Sequence, residues 1–298
     1  MKVLVTGGTG FIGSNIVEAL LGRGDEVVIT GHDAEQSLPN FKGTLLLPSL
    51  IGIDWSALPP VDILFHEAAY NDTRSQDLRE MLHANVAASL ELFKRVVEKG
   101  CKHIVYASST AVYGNGPAPY KEDQPLHPLN PYAQSKQRLE EEIARFARAH
   151  PDVVIVGLRY CNVYGPGESH KGTRASMIYQ LAQQMRKGNP RLFKSGEQRR
   201  DYIYVKDVVE VNLRAAEARS SGVLNCGSGR ATAFNDVVKL LNNALGTSRT
   251  PEYIDNPFTN AYQDYTECDM SRAEEVLGFV PQYSIEAGIE EYKKTGSL

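Results

Sequence analysis

The sequence predicts an α/β fold: a parallel sheet with helices on both faces, plus a smaller, discontinuous C-terminal lobe. Three observations predict it. A glycine loop follows the first strand directly, short β-branched runs alternate with amphipathic helical runs, and that rhythm changes near Pro166. Strands alternating with helices of this length form right-handed βαβ units, whose strands run parallel and are buried on both sides.

The first run, 2–6, ends in Gly7-Gly-Thr-Gly-Phe-Ile-Gly13. Ile16, Val17, Leu20 and Leu21 then recur at helical spacing over 14–24, with Gly24 as a stop. Strand-length apolar runs follow at 26–30, 44–47 and 62–66. Leu78, Leu82, Val86, Leu90, Phe93 and Val97 step by three or four, which predicts one long amphipathic helix over 75–99 closed by Gly100. A buried strand at 103–108, a helix at 131–150 stopped by Pro151, and a strand at 153–157 complete the first half.

Beyond Pro166 the pattern predicts a helix at 174–187, a polar irregular stretch at 192–204 and a helix at 205–219. The run 223–226 reads as a strand able to rejoin the first sheet. A helix at 234–245, an extended piece at 252–254 and two terminal helices follow. No repeat or flexible linker interrupts the chain. The expected division is a cofactor domain over 1–165 and 200–228, and a substrate lobe over 166–199 and 229–298, with a cleft between them.

The chain has 298 residues, 42% hydrophobic and 23% charged, as in ordinary globular proteins. A net charge of −4 gives no general attraction to nucleic acid or to an anionic membrane, and no apolar run approaches the ~20 residues of a span. Met1-Lys2 leads straight into Val3-Leu-Val5 without a signal-peptide core, so a cytoplasmic location is expected. Cys101, Cys161, Cys226 and Cys268 stand far apart and read as buried free thiols rather than disulfides or metal ligands. His66-Glu67 lacks a second histidine at metal spacing, and no metal site is expected. Glu140-Glu141-Glu142 reads as a solvated helix face.

Gly7, Gly10 and Gly13, spaced Gly-x-x-Gly-x-x-Gly between a strand and a helix, suit a Rossmann-type dinucleotide site. Backbone there approaches a pyrophosphate that rests on the helix N-terminus, which makes Gly7, Gly10, Phe11, Ile12 and Gly13 candidate cofactor residues. After the second strand, an acidic residue would take the adenosine ribose hydroxyls and select NAD. This chain has Gly31-His32-Asp33. Gly31 leaves room for a 2′-phosphate that His32 would face, which favours NADP; Asp33 reaching the ribose would leave NAD.

Tyr132 and Lys136 lie four apart on the first turn of a predicted helix, so phenol and ammonium share one face. The ammonium favours the phenolate and is expected to bring Tyr132 closer to neutrality as a base. Ser108-Ser109-Thr110 follows a parallel strand at the end where ligands bind, and its hydroxyls can hold a substrate hydroxyl.

Together these segments resemble the extended short-chain dehydrogenase/reductase family. The likeness covers the whole length and is closest to its nucleotide-sugar epimerase branch. It is carried by Thr6–Gly13, Ser108-Ser109, Tyr113-Gly114, Tyr132/Lys136, Asn162-Val-Tyr-Gly-Pro166 and Arg200-Asp-Tyr-Ile-Tyr-Val205. The resemblance implies that Ser109 orients the substrate, Tyr132 is the acid/base, and Lys136 binds the nicotinamide ribose. It places Ala68 and Asn85 near the cofactor, with Asn85 supporting the active-site geometry. Ser108, Asn162 and Arg200 are implied as substrate contacts, the last two at the diphosphate. Thr110-Ala111 stands where the branch's dehydratases carry an Asp-Glu pair, which argues against dehydration.

Three further pieces, 167–172, 192–198 and 262–269, are similar to the ADP-heptose 6-epimerases within that branch. They imply Lys171 as a second acid/base, or alternatively as a phosphate-binding lysine, with His170, Lys194 and Tyr262 lining the substrate site. The expected reaction inverts a secondary carbinol, at C6 of an ADP-heptose or alternatively at C4 of a nucleotide hexose or heptose. A tightly bound NADP or NAD ends each cycle as it began. A non-catalytic dinucleotide sensor would be expected to lack the tyrosine or lysine. The helices at 75–99 and 131–150 have faces expected to pair in a homo-oligomer.

Overall fold

The structure, a computed structural model, describes residues 1–31, 41, 43–46, 54–72, 75–257 and 263–298. Its main sheet contains β1 (Lys2–Thr6), β2 (Glu26–Thr30), β3 (Thr44–Leu46), β4 (Ile63–His66), β5 (His103–Ser109) and β6 (Val154–Tyr160). Then come β7 (Asn162–Tyr164), β8 (Arg191–Phe193), β9 (Arg199–Tyr204) and β10 (Gly222–Cys226), the last of which returns to the main sheet. The short β11 (Ala231–Ala233) and β12 (Glu252–Ile254) complete the set. The order β10-β6-β5-β4-β1-β2-β3 is parallel throughout. A β11-β9-β7 sheet and a β12-β8 pair are separate from it.

The helices are α1 (Phe11–Gly22), α2 (Leu78–Leu82), α3 (Ala88–Glu98), α4 (Pro131–Ala149), α5 (Met177–Lys187) and α6 (Val205–Ala215). They are followed by α7 (Phe234–Leu245), α8 (Ser271–Leu277) and α9 (Ile285–Lys294). None of the described helices is long and apolar enough to cross a membrane.

Successive side chains of a strand point to opposite faces, so the buried strands feed two cores. In β5, Val105 and Ala107 enter the core covered by α1 and α6, with Ile16, Val17, Leu20, Val208 and Val211. Ile104 and Tyr106 enter the core covered by α3 and α4, with Leu92, Phe93, Val96, Leu139 and Ile143. Each of the Val, Leu, Ile and Phe side chains among them contributes about 1.5–3 kcal/mol of burial. A third core joins Ile178, Leu181 and Met185 of α5 to Val237 and Leu241 of α7 and to Ile289 of α9, around Tyr164, Tyr202 and Tyr204. Because the main strands are parallel, Gly7, Glu67, Ser109 and Tyr160 all lie at or just beyond the carboxyl ends of their strands, at the same end of the sheet.

The structure departs from the sequence pattern in several places. The helix expected over 75–99 is α2 and α3 joined by a π-helical turn, His83–Ala87. A π-turn keeps the apolar stripe continuous, so periodicity does not reveal it. The irregular stretch expected at 192–204 contains β8 and β9, because Arg200, Tyr202 and Tyr204 are buried despite their polar tips. The helix expected from 174 begins at Met177, after a 3-10 turn at Ser169–Arg174, with Ser176 as its cap.

A further departure concerns charge and sulfur. Glu140 is buried rather than solvated: it accepts Arg159 at 3.0 and 2.7 Å and the Ser108 hydroxyl at 2.5 Å. Its neighbour Glu141 remains exposed. Cys161 and Cys268, 107 residues apart, are joined by their sulfurs, whereas Cys101 and Cys226 are free and buried as expected. The pairing arises because residues 263–270 run beside β9, where the Cys268 N–H bonds Asp201 at 3.0 Å, and along Tyr120.

Removing one member of a buried ion pair strands its partner's charge, at a cost of about 3–5 kcal/mol. Glu140→Ala should therefore lower the unfolding free energy in urea by about that amount, and Glu141→Ala by less than ~0.5 kcal/mol. Equal effects would show that Glu140 is as solvated as its neighbour.

Candidate active site

The glycine loop forms one wall of a cleft of about 1290 Å³. A Cβ at Gly13 would lie 2.2 Å from the Gly7 carbonyl oxygen, and one at Gly7, whose φ is +66°, would lie 2.9 Å from the Ala68 amide nitrogen. Only glycine lets these backbones meet. Gly10 starts α1 without a capping side chain, and Phe11, Ile12 and Gly13 border the cleft at that first turn. Uncapped amides at a helix N-terminus suit an anion, and the cleft exceeds the ~300–1,000 Å³ of an ordinary small-molecule pocket. The residues present therefore fit a pyrophosphate-linked dinucleotide with room for a second ligand. Gly31 and Ala68 also border the cleft, while His32 and Asp33 lie outside the described residues.

A chain of buried polar groups ties this wall to α4. His66 contacts the Thr6 hydroxyl at 2.7 Å and the Ser89 hydroxyl at 2.8 Å, and Ser89 donates to the Asn85 carbonyl. Burial, with Lys136 nearby, holds His66 neutral by pushing its pKa down to about 3. Asn85, in the π-helical turn, accepts the Tyr70 N–H at 2.7 Å. It donates to the Tyr70 carbonyl at 3.0 Å and to the Ser135 hydroxyl at 2.9 Å. Ser135 donates to the Tyr132 carbonyl.

On α4, whose start is fixed by the Asn130 cap and Pro131, Tyr132 and Lys136 both border the cleft. Lys136 Nζ donates to the Ala107 carbonyl at 2.8 Å and lies 5.9 Å from the Tyr132 ring centroid. Tyr132 hydrogen-bonds Ser109. The expected drop in its pKa is not found. Burial pushes Tyr132 up to about 12, against the Ser109 bond, and the charge of Glu67 adds to the rise. Burial also brings Lys136 down to about 8, opposed by Glu67 and Glu140.

Glu67 was not apparent as a site residue in the sequence. It borders the cleft, accepts the Tyr160 hydroxyl at 2.9 Å, and has its pKa raised by burial to about 7. Its place directly after the apolar run 62–66 is the signal that could have marked it.

Asn162 of β7, and Ser169, His170, Lys171 and Arg174 on the turn beyond it, also line the cleft. Lys171 Nζ stands 5.2 Å from the Phe11 ring centroid, and its pKa is lowered by burial. Asn162 donates to the Asp201 carbonyl at 3.0 Å. Ser108 borders the cleft, but its hydroxyl is turned to Glu140. Arg200 and Lys194 do not border it: Arg200 stacks 5.6 Å from the Phe234 ring, and Lys194 pairs with Asp255 at 2.7 Å on the surface. Tyr262 lies outside the described residues. Among the described residues, Cys161, Asp201 and Cys268 lie close enough to share an ion. Asp201, however, already accepts the Ser228 N–H and hydroxyl and the Gly229 and Cys268 N–H groups.

With this loop, sheet order and Ser-Tyr-Lys cluster, the chain belongs to the NAD dependent epimerase/dehydratase family, whose model matches residues 3–227. It is an enzyme of the epimerase kind. Over 99% of its length it is similar to ADP-L-glycero-D-manno-heptose-6-epimerase of Helicobacter pylori, with 34% identity, 95% of that chain covered and a TM-score of 0.89. It is also similar to UDP-glucose 4-epimerase of Thermotoga maritima, solved with UDP-glucose, at 30% identity and a TM-score of 0.90, covering 99% of both chains. A third relative is MoeE5, solved with UDP-glucose and NAD, at 30% identity and a TM-score of 0.87, again covering 99% of both chains.

Glu67 gives a pH test. Folding raises its pKa from 4.5 to about 7, so the folded state holds a proton that the unfolded chain releases between those values. That contribution is complete below pH ~4.5 and lost as pH rises through ~7. Glu67→Gln, uncharged throughout, should therefore be more stable than the parent at pH 8, by about 2–3 kcal/mol, and should match it near pH 4.5. A difference independent of pH, read by thermal unfolding, would contradict the burial of that carboxylate.

Proposed function

We propose that the protein epimerises a nucleotide sugar by transient oxidation and re-reduction of one secondary carbinol, at C6 of an ADP-heptose. One observation carries this reading: two proton-handling groups, Tyr132 on α4 and Lys171 on the turn beyond β7, border the same cleft as the dinucleotide loop. Bound nicotinamide dinucleotide supplies a hydride acceptor and donor at a single carbon. Gly7, Gly10, Phe11, Ile12, Gly13 and Ala68 would hold it, Tyr132 and Lys136 would contact its ribose, and Asn85 would support the loop behind it. Gly31 in place of an acid favours NADP, and the NAD in MoeE5 supports NAD as the alternative.

Ser109 orients the substrate hydroxyl, and Tyr132 takes its proton. Tyr132 reaches the phenolate when cationic neighbours outweigh burial and the Glu67 charge; Lys136 is the protein's contribution. Inversion requires the ketone to present its other face, which carries its oxygen away from Tyr132. Lys171, half-buried on the cleft's border with its Nζ over Phe11, then gives the second proton. We assign 1–165 and 200–228 to the cofactor and 166–199 and 229–298 to the substrate. The likeness to UDP-glucose 4-epimerase favours a second reading, in which the same machinery inverts C4.

Incubation with ADP-D-glycero-D-manno-heptose, followed by proton NMR, should show inversion at C6, while UDP-glucose in a parallel tube stays unchanged. Inversion of UDP-glucose at C4 alone would establish the second reading. Lys171→Met should slow inversion at least ~100-fold, yet leave reduction of the bound cofactor by substrate visible at 340 nm. If only KM rises, Lys171 binds phosphate instead.

The apolar groove of Leu78, Leu82, Val86 and Leu90 beside Gln134 and Arg138 of α4 is assigned to a second copy of the chain. Leu82→Asp should then convert a dimer to a monomer in light scattering, and a parent that is already monomeric would refute the assignment.

A further inference from the structure

The loop that carries His170, Lys171 and Arg174 is closed at both ends by one side chain. Glu168 is wholly enclosed. Its Oε1 accepts the Gly165 N–H and the Ser176 hydroxyl, each at 3.0 Å, and its Oε2 accepts the Ser176 N–H. Ser176 in turn caps α5 by accepting the Tyr179 N–H at 3.1 Å, so the clip is continuous with that helix. Inside the loop, the Glu168 carbonyl accepts the Lys171 N–H at 3.0 Å. On the side facing α1, Asn15 donates to the Pro166 carbonyl at 3.0 Å. Both ends of the loop and the backbone of Lys171 are therefore fixed while its Nζ stands over Phe11.

Burial raises the Glu168 pKa, and the three donors, with the charge of Lys171, oppose that rise and favour the carboxylate. Two ionisable groups face Glu168, namely Lys171 and Tyr292, and Lys171 faces Glu168 and Arg174. Burial disfavours the Lys171 ammonium, Glu168 favours it, and Arg174 adds a smaller opposing charge.

We propose that Glu168 is the positioning residue of Lys171: its enclosed carboxylate closes the loop 165–176 and supplies the counter-charge that keeps Lys171 an ammonium able to give a proton. A residue that only held the loop together would leave the ionisation of Lys171 unchanged. The inference rests on the reading of Lys171 as the second acid/base.

The test uses full-length protein labelled with [13Cε]lysine, with the Lys171 signal identified by its loss in Lys171→Met. Glu168→Gln keeps the shape and removes the charge. With folding checked by circular dichroism, it should lower the Lys171 titration midpoint by about one pH unit. Above that midpoint the ammonium population falls ~tenfold, so kcat for inversion of ADP-D-glycero-D-manno-heptose should fall about tenfold at alkaline pH with KM within ~twofold. An unmoved midpoint in folded Glu168→Gln overturns the proposal. Should that variant fail to fold, Glu168→Asp decides, because withdrawing the charge by one methylene lowers both midpoint and kcat, and parent-like values of both overturn it. If Lys171→Met still inverts the sugar, the acid/base reading fails, while the Lys171 titration still tests Glu168.

Discussion

The carboxamide of Asn85 fastens the parts of the cleft together. One side chain, offered by a π-helical turn, bonds both backbone groups of Tyr70 and the hydroxyl of Ser135. The first partner belongs to the loop whose start packs on Gly7, and the second sits between Tyr132 and Lys136. The dinucleotide loop and the Tyr-Lys pair come from segments more than a hundred residues apart, yet Asn85 fixes their separation. Leaving such buried groups unpaired costs about 1–3 kcal/mol each. The π-turn follows from the same need, since it re-aims Asn85 without breaking the apolar stripe of α2 and α3.

Around this fastening the cleft brings together charges that burial opposes. Glu67 and Lys136 each lose hydration there, and each favours the ionised form of the other. Tyr132 is held protonated by burial and by the Glu67 charge, so its use as a base depends on cations gathered around it. On the far side, Lys171 is balanced between Glu168 and Arg174. Both proton-handling sites thus pair a desolvated lysine with a carboxylate, half-buried at Glu67 and enclosed at Glu168, although they come from unrelated parts of the chain. Groups poised in this way change protonation at little cost, as reversible proton transfer requires.

The parallel sheet was legible because its evidence is local: β-branched runs, helical spacing and a glycine loop placed between them. The helix Phe234–Leu245 and the strand Glu252–Ile254 fall where spacing places them. Ser109, Tyr132, Lys136 and Lys171 were likewise visible as motifs, and the structure brings them to one cleft. Features that depend on distant partners were hidden. Glu140 and Glu141 are alike in sequence, and only Arg159, on a strand 19 residues away, makes one of them a buried ion. β9 looked irregular because its buried positions carry Arg and Tyr. Cys161 and Cys268 meet because residues 263–270 run alongside β9. Glu67 and Glu168 have no sequence spacing of their own; burial and three-dimensional partners set their roles.

The whole scheme requires that the carbon that loses hydrogen regains the same hydrogen within one closed cleft. ADP-D-glycero-D-manno-heptose carrying deuterium at C6, converted in ordinary water and analysed by NMR and mass spectrometry, measures this. Deuterium should remain on C6 of the inverted product without loss to solvent. Inverted product carrying protium at C6 would contradict transient oxidation and return, and would require a proton-abstraction route that this arrangement of Tyr132, Lys136 and Lys171 does not provide.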